Sequence, residues 1–124
     1  TRCVSQQYSG YEVQPGAKIN GDLTLGENIA DLGGIKLAFQ AYRAMRQGAE
    51  PVVAGGFSED QQFFLAVGQA WCAKARPEFE RLRIKTDPHS PPRFRVQGPL
   101  ADLPQFAEAF SCAPPAPDKT CSVW

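Results

Sequence analysis

Positions 31, 35, 38, 42 and 45 hold Asp31, Ile35, Ala38, Tyr42 and Met45, while 36, 40, 43 and 47 hold Lys36, Gln40, Arg43 and Gln47. Both series step by three and four, the period of a helix with one apolar and one polar face. Thr24 followed three residues later by Glu27 has the form of a capping box, so the pattern predicts a helix of about five turns from Thr24 to near Gly48. A second helix is predicted after Ser58 and Gln61, another box. Glu59 and Asp60 lie in its first turn, and Lys74 and Arg76 lie toward its far end. Its apolar side is Phe63, Phe64, Val67, Ala70 and Trp71, and Pro77 limits its length.

The remaining segments are read more coarsely. Gly10, Pro15-Gly16 and Asn20-Gly21 are closely spaced turn signals, so residues 1–23 are expected to be irregular. A short helical piece is expected at 78–83. Residues 86–93 carry Pro88, Pro91 and Pro92 and are expected to form no regular element. Residues 94–98 fit strand or helix equally. Asp102 is placed to cap a last helix over 103–111, and a Pro-rich tail runs on to Trp124. The fold class is mainly α, a single unit over 1–124 with long Pro/Gly-rich loops.

Composition narrows the function classes. Thirteen Lys and Arg balance thirteen Asp and Glu, so the basic excess that nucleic-acid binding by counterion release requires is absent. No apolar run approaches the roughly 20 residues of a membrane span, and no signal-peptide pattern opens the chain. Neither a nucleic-acid partner nor membrane contact by this segment is expected.

The four cysteines are Cys3, Cys72, Cys112 and Cys121, and none forms a C-x-x-C pair. Their spread fits an extracytoplasmic domain with disulfides, for which three connectivities are open, or four unpaired thiols in a reducing compartment. A bridge between Cys3 and Cys121 would close almost the whole chain and contribute on the order of 4–5 kcal/mol in the chain-entropy description.

Two places carry candidate chemistry. Stepping back by four from Ile35 gives Asp31 and then Glu27, so two carboxylates head the apolar face of the long helix, their Cβ atoms about 5–6 Å apart. Either they serve the helix N-terminus with solvent access, or they face the core and need a compensating cation or donors. Gly33-Gly34 inside the helix favours close approach of another backbone there. The second place is the loop around His89, the only histidine, with Asp87 before it and Arg93 and Arg95 beyond. Such a loop is either incidental surface charge or a rigid mount for groups that meet a polarised carbonyl. Trp71, Phe63 and Phe64 alone read as core.

These residues also carry a resemblance. The stretch from Asn20 to Ile35, with Glu27-x-x-x-Asp31, resembles the glutamate helix of the neprilysin and endothelin-converting-enzyme family of zinc metallopeptidases. So do Gln69-Ala-Trp-Cys72, Arg76-Pro-Glu-Phe79, Lys85-Thr-Asp-Pro-His-Ser-Pro91, Arg93-Phe-Arg-Val96 and Cys121-Ser-Val-Trp124, in the family's order. The resemblance implies the helical C-terminal part of a gluzincin-type catalytic domain, in an extracytoplasmic endopeptidase that hydrolyses oligopeptides with one Zn²⁺. Glu27 inherits the role of third zinc ligand, and Asp31 that of orienting a zinc-ligating histidine. His89 is implied as donor to the oxyanion and Arg95 as the grip on a substrate carbonyl. Trp71 and Ala70 fall where the family lines the pocket for the residue after the scissile bond, with Ala70 smaller than many counterparts.

Cys3 is implied to pair with Cys121, and Cys72 and Cys112 with cysteines upstream of this chain. The family's His-Glu-x-x-His helix is not in this sequence, so the resemblance also implies a partner: the N-terminal part of the same peptidase, on the same polypeptide or a separate chain. Alone, the chain is expected to be inactive. The competing expectation is a non-catalytic binding or scaffold module that keeps the fold without an active metal site.

Overall fold

The computed structural model describes residues 1–113, 116 and 120–124. Among the described residues six helices and one small hairpin follow in chain order: α1 (Arg2–Ser9), β1 (Glu12–Gln14), β2 (Ala17–Lys18), α2 (Leu25–Arg46), α3 (Glu59–Ala70), α4 (Pro77–Thr86), α5 (Pro92–Ala101) and α6 (Pro104–Ala109). The fold is mainly α, as the periodicity predicts. The 22-residue α2 is its spine. It packs against α5 and α1, while α3 and α6 close one end and the hairpin leans on α4.

The segment expected to be irregular, 1–23, instead contains α1 and the hairpin. In α1 only Val4 and Tyr8 are buried, one turn apart among polar neighbours, too few apolar positions to stand out against the nearby turn signals. Their burial stabilises α1 through the tertiary core, which decides short helices more than propensity does. The Cys3–Cys121 disulfide fastens the same helix to the last described segment. The hairpin turns at Gly16, whose φ of +75° is left-handed. Gln14 ties it to α4, donating to the Pro77 carbonyl at 2.9 Å and accepting from Arg81 Nε at 2.6 Å.

The core gathers Val4, Tyr8, Ile19, Leu32, Phe39, Phe64, Phe94, Leu100, Leu103, Cys121 and Val123. Stacked rings of Phe39 and Phe64, 4.9 Å apart, join α2 to α3, and Phe106 meets Phe64 edge-on at 5.4 Å from α6. The buried side of α2 is rotated from the expected stripe. Asn28, Leu32, Gly33 and Phe39 are buried, Ile35 and Tyr42 are half-buried, and Ala38 and Met45 face out. Apolar residues occur on nearly every side of this helix, so periodicity alone does not single out one face. Leu37 (54% exposed) and Met45 (76%) leave an apolar stripe uncovered.

Three further expectations change. Gly33 does make room, but for the Trp124 indole rather than a backbone: a Cβ there would lie 2.5 Å from the ring, while Gly34 faces open space. Asp102 does not cap the last helix, whose N-cap is Leu103; its Oδ1 accepts the Cys121 N–H at 2.8 Å. The loop expected over 86–93 shrinks to residues 87–91, because Pro92 occupies the first turn of α5, where its missing N–H costs nothing. Residues 94–98 are helical. The Pro-rich tail lies in part outside the described residues.

Gly98 is the tightest point between α1 and α5. A Cβ there would overlap the Tyr8 phenol, whose Oη donates to the Phe94 carbonyl at 3.3 Å. Gly98→Ala is expected to destabilise the fold by about 1–3 kcal/mol through overpacking, read as a lower urea midpoint with an unchanged slope. An unchanged midpoint would show that the two helices separate freely.

Candidate active site

Entry into α2 is set by Asn20, whose Oδ1 accepts the N–H groups of Asp22 and Leu23 at 3.2 and 3.0 Å. The expected capping box at Thr24 does not form. The Thr24 hydroxyl turns back to the Asn20 carbonyl at 3.0 Å, which leaves the Glu27 carboxylate free to project from the first turn. The box at Ser58 and Gln61 does form, with both reciprocal hydrogen bonds.

His89 is carried on the loop between α4 and α5. Asp87 ends α4 and holds the loop: its Oδ1 accepts the His89 N–H at 2.9 Å and meets the ring Nδ1 at 2.8 Å, while Oδ2 accepts from Arg83 Nε at 2.7 Å. The His89 N–H is the main reason that the Asp87 carboxyl is held down to about 2, with the ring and the Arg83 guanidinium adding to it. The other ring nitrogen, Nε2, faces Glu27 Oε2 at 3.3 Å.

Asp31, one turn beyond Glu27, is not a free carboxylate. Arg95, in the first turns of α5, reaches it with both arms of a fork, Nε to Oδ2 and Nη2 to Oδ1, each at 2.6 Å. The two side chains are only 14% and 13% exposed. The Asp31 hydrogen bonds raise the Arg95 pKa against the opposing effect of burial. Trp71 closes α3, and its ring lies 4.0 Å from the Arg95 guanidinium carbon. Arg95 Nη2 is also 3.9 Å from Glu27 Oε2.

Four separate segments therefore bring Glu27, Asp31, His89, Arg95 and Trp71 together. Ala70, the last residue of α3, is exposed beside them, and Arg93 points away to Gln97. Sequence reading identified these five residues but not the fork between Asp31 and Arg95, which are 64 positions apart. It also missed Asn28 and Ser90, whose side chains meet at 2.7 Å beneath the site. Their only signal was position, one residue after Glu27 and one after His89.

A metal needs more donors than the chain supplies here. Among the described residues no three His, Cys, Asp or Glu side chains converge on a metal-sized site. Glu27 can offer one carboxylate, but His89 Nδ1 is engaged by Asp87 and both Asp31 oxygens by Arg95. These residues do not by themselves fit a zinc ion, which takes three protein ligands in catalytic sites.

The sequence profile of Peptidase family M13 matches residues 1–122. The chain belongs to peptidase family M13. It is 45% identical to endothelin-converting enzyme 1 of Mus musculus and 42% identical to neprilysin-21 of Caenorhabditis elegans, in each case over the whole chain. It spans only 17% of the length of either relative. Among solved structures, the Mycobacterium tuberculosis zinc metalloprotease in complex with inhibitor superposes with a TM-score of 0.93. The identity is 31%, over 99% of this chain and 20% of that one. The Haemonchus galactose-containing glycoprotein complex gives a TM-score of 0.89 at 38% identity, over 99% of this chain and 22% of that one. The M13 chain thus has the helical architecture of that family, and its Cys3–Cys121 bridge is formed, while Cys72 and Cys112 are exposed and unbridged. No helix among the described residues is long and apolar enough to cross a membrane.

Proposed function

We propose that this M13 chain is the C-terminal part of an extracytoplasmic zinc endopeptidase that hydrolyses peptide bonds in oligopeptides. The observation that carries this reading is the convergence of Glu27, His89 and the Asp31–Arg95 fork on one side of α2. The uncovered apolar stripe at Leu37 and Met45 supports a larger domain packed on the same helix. The rest of the peptidase, on the same polypeptide or a separate chain, supplies the other metal ligands and the cysteines that pair with Cys72 and Cys112.

In the completed enzyme Glu27 serves as one zinc ligand and Asp31 orients a zinc-ligating histidine from the other part through lone pairs that Arg95 leaves unused. The chemistry that a bound zinc supplies is polarisation of the scissile carbonyl and activation of a water. His89, aimed by Asp87, donates a hydrogen bond to the oxyanion as it develops. Arg95 has committed Nε–H and one Nη2–H to Asp31, so the substrate carbonyl is gripped through the remaining guanidinium N–H groups. Trp71, with Ala70 beside it, lines the pocket for the residue after the scissile bond.

Steady-state kinetics of the completed peptidase on one short peptide test these roles. His89→Ala is expected to lower kcat by about 3–4 kcal/mol of transition-state stabilisation with KM nearly unchanged. Arg95→Ala is expected to raise KM, and Arg95→Lys not to restore it fully, because the planar fork is lost. If both alanine variants lose only affinity, His89 positions substrate and the division of roles is wrong.

A further inference from the structure

Beneath the site lies a short run of hydrogen bonds fully removed from water. Thr24, Asn28 and Ser90 are 1%, 0% and 1% exposed. Its direction follows from counting protons. The Thr24 hydroxyl spends its only proton on the Asn20 carbonyl, so toward Asn28 it can only accept, and Asn28 Nδ2 donates to it at 2.9 Å. That turns the amide oxygen toward Ser90, whose hydroxyl donates to it at 2.7 Å.

The register of this contact matters. Two consecutive residues of α2 meet two consecutive residues of the loop: Glu27 faces His89 Nε2 and Asn28 faces Ser90. Asp87 holds the His89 ring from the end of α4, where Arg83 anchors it, and none of its hydrogen bonds reaches α2. Of these contacts, only the Ser90–Asn28 bond is both buried and attached to α2. The His89–Glu27 contact is 3.3 Å long between side chains 41% and 42% exposed, too long and too wet to set a geometry unaided.

We propose that Asn28 and Ser90 are positioning residues for the peptidase reaction, locking the His89 loop to the Glu27 helix in one register through their buried hydrogen bond. The proposal rests on the roles assigned above to Glu27 and His89 and adds what keeps them in place. Neither Asn28 nor Ser90 touches substrate. A buried pair whose shared hydrogen bond has its direction set by a neighbouring hydroxyl has fewer low-energy arrangements than a surface contact. Oxyanion donors lose effect steeply with small displacements, so the register is worth rate.

Ser90→Ala and Asn28→Ala, each alone and combined with His89→Ala in the completed peptidase, test the lock. Each is expected to lower kcat by about 10–100-fold and leave KM nearly unchanged. In the His89→Ala background the same substitutions are expected to cost less than about two-fold, because the ring they place is gone. A loss that persists undiminished in that background, or one confined to KM, overturns the proposal. Should Asn28→Ala not fold, Ser90→Ala alone carries the cycle, since it removes one hydroxyl. Ring ¹⁵N signals from histidine-selective labelling give a second readout, with the His89 signals identified by their loss in His89→Ala. Ser90→Ala is expected to shift or broaden them, and unchanged signals overturn the lock. If His89→Ala itself leaves kcat intact, the catalytic role of His89 fails, and the ring signals still decide whether Asn28 and Ser90 hold it.

Discussion

Glu27→Ala is expected to leave the completed peptidase without bound zinc and without peptide hydrolysis, while its fold survives. Glu27 is half-exposed, and the Thr24 hydroxyl that a capping box would use is bound elsewhere, so its carboxylate contributes little to the stability of α2. Its neighbours are a histidine ring and, at 3.9 Å, an arginine already paired with Asp31. With Glu27 as one of three protein ligands, as proposed above, its removal opens the coordination sphere, and catalytic zinc sites have no spare ligand to replace it. Metal content by elemental analysis and the melting temperature should be measured on the same preparation. Full zinc occupancy in Glu27→Ala would sink the ligand assignment whatever the activity; lost zinc with a matching loss of apo-protein stability would make Glu27 a structural residue.

Asp31→Ala should act in the opposite way, on the fold first. The substitution strands the Arg95 guanidinium, 14% exposed, without the carboxylate that satisfies two of its donors. Breaking such a pair from one side typically costs about 3–5 kcal/mol, because a buried charge is left uncompensated. Zinc affinity should fall by roughly 10–100-fold as the orienting carboxylate disappears. The double variant Asp31→Ala/Arg95→Ala removes the stranded charge along with its cause. It is expected to be less destabilised than the sum of the single variants in denaturant unfolding. Strict additivity would mean that the fork seen here contributes no coupling in solution.

Periodicity makes α2 and α3 legible, since long amphipathic runs with Ser58 and Gln61 at one start leave few alternatives. The two carboxylates on α2 stand out as an anomaly because charge heading an apolar stripe has to be explained, even though the buried side proves to be rotated from that stripe. What balances Asp31 was not visible: Arg95 is 64 positions away, and nothing local to either residue encodes the meeting. The same limit hides Asn28 and Ser90, 62 positions apart. A buried asparagine looks, in sequence, like any polar residue on a helix flank. Helix α1 escaped for another reason: its two buried residues, Val4 and Tyr8, find their partners only in the folded core, where Tyr8 meets Phe94 and Gly98. Cys3 and Cys121, by contrast, were paired through resemblance alone, since four cysteines leave three connectivities open.

The bridge between Cys3 and Cys121 spans 118 positions. At ribosomal speeds of about 5–20 residues per second, Cys3 waits roughly 6–24 s for its partner to be made. Between the two in sequence lie Cys72 and Cys112, both exposed in the folded chain. Any early bond to either must be undone by thiolate attack before the native one can close. A nascent chain halted anywhere before Cys121 cannot form it. Such a chain carries Cys3 without its native partner, and α1 without its covalent tie to the segment around Cys121.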